Sequence, residues 1–369
     1  MATLRKIAIL PGDGIGPEVM SQGIKALKAI EEKYNHKFEL KEALMGGIAI
    51  DRTGQPLPDE TLEISLEADA VLLGAIGTPK YADPTMKVRP EQGLLGLRKA
   101  LGLYANIRPV KAYDKLVGLS PIKNDRIKGA DFVIYRELTG GVYFGISGRN
   151  EDNSMAYDTM SYESYEIERI AHAAFKTAMN REQRLCLVDK ANVLESSRFW
   201  RETVDQVAMD YPSVKLSYLY IDNAAMQMIL NPTRFDVVLT ANLFGDILSD
   251  EASVIGGSLG LLPSASIGDE RCLFEPVHGS YPEGAGKDIA NPTAMILSVA
   301  MMFEHFDLHQ EAQDIYRAIE TCMDKSIMTS DLNPDVSYSC SQFGDIIEAI
   351  IMGEEINLKS VRQGSASII

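Results

Sequence analysis

Short apolar runs bounded by turn residues alternate with longer stretches of helical period along almost the whole chain, and this rhythm constrains the fold most. KIAIL, ADAVLLGA, ADFVIY, RLCLVD, VKLSYLYI and FDVVLT read as strands. The segments between them are long and periodic enough for helices. Strand, loop and helix in repeated succession make an α/β chain whose ligands gather at strand ends. DVVLT running into NLFGDILSDEASVIGGSLGLL, and VLLGA running into a loop of Pro and Gly, show that succession plainly.

A length of 369 residues suggests two domains, each able to bury a core without disulfides or structural metal. No repeat, low-complexity tract or linker marks a boundary. A chain that leaves one domain, builds a second and returns would leave no such mark. Thirty-six Lys and Arg against 52 Asp and Glu give a net charge of −16, a field that repels nucleic acid and anionic membranes. An anionic ligand therefore needs a local basic pocket. Cys186, Cys272, Cys322 and Cys340 form no CxxC pair, and neither a signal h-region nor an 18-residue apolar window occurs. A reduced, cytoplasmic setting is expected.

ELTGGVYFGISGRNEDNSMAYDTMSY lacks helical period and carries Gly pairs and alternating aromatics, which reads as a β-hairpin arm at about 137–162. An arm too poor in apolar residues to form its own core packs on another chain, so a dimer is expected. PGDGIGPE follows a strand, but its glycines are spaced GxGxG and Pro17 comes next, so a turn that starts a helix is expected rather than a dinucleotide fingerprint.

Four groups of residues could carry chemistry. On a helix Glu91, Leu94, Leu95 and Arg98 form one stripe that mixes branched apolar groups with a charge of each sign, unlike a core stripe. Arg108 and Arg136 lie at further element ends, and with Arg98 they suit a dicarboxylate, although surface salt bridges would use the same residues. Asp246 and Asp250 project from one helix face at i and i+4, and Asp222 ends another apolar run, an oxygen-only set suited to Mg²⁺ or Mn²⁺ if it is not simply a solvated face. Lys190, beside Asp189 at a strand end, and Tyr143, in GGVYFG, are the proton-transfer candidates. Finally, EPVHGSYPEGAGKDIANP is an ordered loop whose Gly279, Gly284 and Gly286 allow close backbone approach and whose Glu283 could accept from a ribose diol while repelling a 2′-phosphate.

From ILPGDGIGPE through GLLGLRKALGLYANIRP, RELTGGVYFG and VDKANVL to NLFGDILSDEASVIGGSLGLLPSASIG and EPVHGS, the chain resembles the isocitrate/isopropylmalate family of metal-dependent β-decarboxylating dehydrogenases, and its isopropylmalate branch in particular. The resemblance implies two α/β domains that differ from a Rossmann fold, residues 1–98 with 251–369 and residues 99–250, plus a dimerising arm. It implies that Arg98, Arg108 and Arg136 hold the malate carboxylates, that Asp222, Asp246 and Asp250 carry Mg²⁺ or Mn²⁺, and that Tyr143 and Lys190 are acid and base. Asp222 and Lys190 are implied to act across the interface of a homodimer, and Asp222 also to touch substrate. Glu91, Leu94 and Leu95 are implied to lie by the substrate's variable group. Gly77, Thr78, Glu91, His278, Gly279, Ser280, Glu283, Gly286 and Asn291 are implied to contact NAD, and a monovalent cation to activate.

The implied reaction is oxidation of 3-isopropylmalate and its decarboxylation to 4-methyl-2-oxopentanoate in leucine biosynthesis. Two leucines suit an isopropyl group and would leave a third carboxylate unpaired. A sister enzyme for tartrate, malate or homoisocitrate shares the charged set, and a non-catalytic subunit is the rival from another class. The loop departs from the family's usual HGSAPDIAG, reading HGSYPEGAG here.

Overall fold

The computed structural model describes residues 4–354 apart from 84. Its strands are β1 (Leu4–Gly12), β2 (Lys37–Glu42), β3 (Ala70–Ala75), β4 (Ala105–Lys111), β5 (Asp131–Glu137), β6 (Ser147–Arg149), β7 (Ala156–Asp158), β8 (Arg184–Asp189), β9 (Lys215–Tyr220), β10 (Val237–Thr240), β11 (Pro263–Ile267) and β12 (Cys272–Pro276). All six apolar runs coincide with strands, and the fold is α/β.

The described residues fall into two compact units, one from residues 4–102, Ser258–Ala265 and residues 269–354, the other from Leu103–Gly257 with Ser266–Gly268. Of the expected first domain, residues 1–3 and 355–369 lie outside the described residues.

In the first unit the order β2-β1-β3-β12 is parallel throughout. Parallel strands need cover on both faces, which is why Ile7, Ala8, Ile9 and Leu10 of β1 are all buried. Helices Gly16–Tyr34, Asp59–Glu67 and Thr293–His305 pack against these strands. The PGDGIG segment turns through Gly12 and Gly14, both at positive φ, and starts the helix with Pro17 in its first turn. Asp13 within it accepts from the backbone N–H groups of Gly47, Ile48 and Gly77 at 2.8–2.9 Å, and Ile15 N donates to Ser280 O at 2.8 Å. The segment therefore braces other loops through the Asp13 carboxylate and the Ile15 N–H.

In the second unit the order is β4-β5-β10-β8-β9, with β4 antiparallel to β5 and the others parallel. Side chains alternate between two cores. Val133, Tyr135, Leu185, Leu187, Val237 and Leu239 face helices Ser164–Met179 and Glu195–Ala208, around Phe175 and Trp200. Phe132, Ile134, Cys186, Val188 and Val238 face helices Ile221–Leu230 and Asn242–Gly256, around Met228 and Leu248. The arm is an antiparallel hairpin of β6 and β7 with Ile146, Met155 and Tyr157 exposed.

Candidate active site

The alternation that divides the two cores also aims the charged groups of the second unit. Arg136 continues the series Phe132, Ile134 toward the helix Asn242–Gly256, and Arg108 does the same two residues before Val110. In the β4–β5 register Asn106 lies opposite Arg136 and Arg108 opposite Ile134, so both guanidinium groups emerge on one face from neighbouring strands. Above them the helix presents Asp246, Ser249 and Asp250 at i, i+3 and i+4.

The resulting network is dense. Arg136 donates from Nε and Nη2 to Asn242 Oδ1 at 3.1 and 2.9 Å, and from Nη1 to Asp246 Oδ1. Arg108 donates to Asn106 Oδ1 at 2.7 Å, to Ser249 Oγ at 2.6 Å and to Asp250 Oδ1 at 3.3 Å. Asp250 remains 73% exposed, so its carboxylate is open to further ligands.

Tyr143 reaches the same aspartate from the loop after β5, donating to Asp246 Oδ2 at 2.8 Å, with the Arg136 guanidinium 5.9 Å from its ring centre. Burial and then the Asp246 carboxylate hold the phenol above its ordinary range, so it keeps its proton at neutral pH and can give it up as an acid. The loop is tied beneath by buried Glu137, which accepts from Thr139 N and Gly140 N, both at 2.7 Å.

Lys190 and Asp222 follow the carboxyl ends of adjacent parallel strands β8 and β9, where Asp189 pairs with Tyr220. Their side chains meet, Lys190 Nζ donating to Asp222 Oδ2 at 2.7 Å, and this bond with the Asn223 N–H holds the carboxyl below its ordinary range. Arg136, the helix after β10, Lys190 and Asp222 thus all gather at the carboxyl edge of β5, β10, β8 and β9, where open sheets bind ligands.

The first unit carries the remaining expected residues. Helix Pro90–Ala100 buries Pro90, Gly93 and Leu97, leaving Glu91 and Leu95 exposed and Leu94 and Arg98 half-buried, so the mixed stripe stands off the core. Arg98 Nη2 donates to Glu275 Oε1 at 2.7 Å. A β-carbon on Gly77 would stand 3.6 Å from Ser280 Oγ and 3.8 Å from Glu91 Oε1, which places those three together, with Thr78 next in sequence. His278, Gly279 and Asn291 line a cavity of about 570 Å³ together with Asp331. Glu283 sits exposed on the short turn Pro282–Gly284, and Gly286 N donates to Glu18.

Donor chemistry decides what these places can hold. Asp246 and Asp250 offer only hard carboxylate oxygens, which fits Mg²⁺ or Mn²⁺, while among the described residues no three His, Cys, Asp or Glu side chains cluster for a metal. The cavity has the size of a small-ligand site, and its lining mixes apolar side chains with a few polar groups, among them His278, Asn291 and Asp331. Burial also pushes the His278 imidazole below its usual range, so it is neutral at pH 7.

Several members of the network escaped the sequence reading. Asn106, Asn242, Ser249 and Glu275 orient the arginines, Asp13 ties three backbone N–H groups, and Asp331 lines the cavity. The glycine inside NLFGD was a readable signal, because a glycine weakens a helix interior unless something lies against it.

The family model described as isocitrate/isopropylmalate dehydrogenase matches residues 6–347. The chain belongs to this family. Relatives within it include a 3-isopropylmalate dehydrogenase of Thermotoga maritima, 53% identical over 347 residues, 93% of this chain and 98% of the relative. The 3-isopropylmalate dehydrogenase of Priestia megaterium is 54% identical over 356 residues, 95% of this chain and 96% of the relative. Among solved structures, an isocitrate dehydrogenase of Methylococcus capsulatus is similar with a TM-score of 0.84 and 34% identity, covering 94% of this chain and 99% of that one. A β-decarboxylating dehydrogenase of Thermococcus kodakarensis is similar with a TM-score of 0.79 and 36% identity, covering 95% and 96%.

Proposed function

We propose that the chain catalyses the NAD-dependent oxidative decarboxylation of (2R,3S)-3-isopropylmalate to 4-methyl-2-oxopentanoate in leucine biosynthesis. The observation that carries the reading is the pairing of Arg108 and Arg136 on one sheet face beneath Asp246 and Asp250, in a chain 53% and 54% identical to proteins named for that substrate. Leu94 and Leu95, held off the core, support the isopropyl group over a third carboxylate.

Arg108 and Arg136 hold substrate carboxylates, each guanidinium kept in orientation by an asparagine, and Arg98 has the same assignment. Asp246 and Asp250, with Asp222 of a second copy, would hold Mg²⁺ or Mn²⁺, and His278, Gly279 and Asn291 would hold NAD. When bound, the ion supplies Lewis acidity and the dinucleotide the hydride acceptor. Lys190 accepts the proton of the C2 hydroxyl as the C2 hydrogen leaves as hydride. Carbon dioxide then departs from C3 of the β-keto acid, and Tyr143 delivers the proton that C3 takes up.

The working form is a cytoplasmic homodimer, with the arm and the Lys190–Asp222 pair serving the neighbouring copy, and K⁺ or NH₄⁺ as activator. Among the described residues no helix is long and apolar enough to cross a membrane. The test is NADH production from pure 3-isopropylmalate, with and without chelator, against isocitrate, malate, tartrate and homoisocitrate, repeated with NADP. Metal-dependent turnover with the highest kcat/KM on isopropylmalate is expected. A higher kcat/KM on another acid, or full activity in chelator, would refute the assignment.

A further inference from the structure

The turn after His278 holds a side chain in a conformation that needs explaining. Tyr281 has φ 37° and ψ 68°, in the left-handed region, and it precedes Pro282, where an extended backbone is the rule. Such strain persists only where the surroundings fix it, and it concentrates at ligand sites. The ring is 50% exposed, yet it is seated: a β-carbon on Gly284 would stand 2.4 Å from Tyr281 Cε1 and 2.5 Å from Cδ1, and 3.3 Å from Ile15 Cγ2. Only glycine at 284 admits the ring there.

The same tyrosine lines the 570 Å³ cavity, whose apolar wall includes Ile15, Leu259 and Ile289 and whose polar groups are His278, Asn291 and Asp331. An aromatic ring, an aliphatic wall and a few convergent polar groups are what a purine riboside requires. We propose that Tyr281 is the platform on which the purine of the dinucleotide stacks, and that Gly284 is the residue that leaves room for it. The inference rests on the assignment of NAD to this cavity.

Calorimetric titration of the intact enzyme with NADH, with ADP-ribose and with reduced nicotinamide mononucleotide, which lacks the purine, tests it. Tyr281→Ala should weaken NADH and ADP-ribose about tenfold and leave the mononucleotide as it was, Tyr281→Phe should bind as tightly as the native chain, and Gly284→Ala should follow Tyr281→Ala by displacing the ring. Native affinity of Tyr281→Ala for ADP-ribose, or equal weakening of the mononucleotide, would overturn the proposal while leaving the NAD assignment standing. If the native chain bound neither NADH nor ADP-ribose, the NAD assignment and this proposal would fall together.

Discussion

Gly245 lies so close to Arg136 that a β-carbon on the glycine would stand 2.6 Å from the arginine Cγ and 2.7 Å from its Cβ. The helix Asn242–Gly256 can therefore settle over the stem of Arg136 and bring Asp246 to its guanidinium only because position 245 has no side chain.

Gly245→Ala should push Arg136 out of line. Gain in helix propensity, about 1 kcal/mol, opposes an overpacking cost of roughly 1–3 kcal/mol, so stability falls little. Substrate binding falls more, because a bidentate contact tolerates little displacement, and KM for 3-isopropylmalate should rise about tenfold with NAD affinity retained. Steady-state kinetics with a urea titration check this. A native KM would mean that Arg136 is not a substrate ligand.

Tyr143→Phe removes one proton and one hydrogen bond to Asp246 without changing the ring. A positioned acid contributes about 10²–10⁴-fold, so overall turnover should fall by about that factor. The loss should fall on decarboxylation of added oxo-intermediate more than on its reduction by NADH. Equal loss in the two partial reactions would remove the division of roles between Tyr143 and Lys190.

Much of this was readable from residues alone, for definable reasons. The strands were legible because helices on both faces leave a parallel strand no polar side, which writes runs such as RLCLVD into the sequence. Lys190 and Asp222 were legible because strand ends are marked locally. Arg108 and Arg136 could be suspected singly, but their meeting depends on the antiparallel register that sets Asn106 opposite Arg136, and register is a property of the pair of strands. Asn242, Ser249 and Glu275 left no trace, since their partners Arg136, Arg108 and Arg98 are more than a hundred residues away. Tyr281 and Gly284 were visible as departures from a pattern, while the reason for their joint occurrence is purely spatial.

The proposed sharing of the site between two copies makes a prediction that no single-chain site can meet. With the proposed roles, Lys190→Met, which lacks the base, and Arg136→Met, which lacks a carboxylate ligand, should each be inactive as homodimers. Co-expressed and purified as a mixed dimer through two affinity tags, they should regain part of the native turnover, because one of the two sites then combines Arg136 from one copy with Lys190 from the other. Turnover no greater than the sum of the two inactive homodimers would place Lys190 and Arg136 in a site of one chain.

The acid limb of stability has an identifiable contributor in the first unit. Burial alone would raise the carboxyl of Asp314, but Lys33 Nζ and Tyr34 OH both donate to its Oδ2 at 2.7 Å and hold it below its ordinary value of 3.8. A carboxyl depressed on folding stabilises the native state above its unfolded value, and that contribution is lost as pH falls through the folded value. Asp314→Asn keeps the shape and removes the charge, so it should cost about 1–2 kcal/mol at pH 7 and less at pH 3, where the unfolded carboxyl is already largely protonated. Urea midpoints of both proteins at the two pH values measure this, and an equal difference at each would mean that the charge on Asp314 contributes nothing.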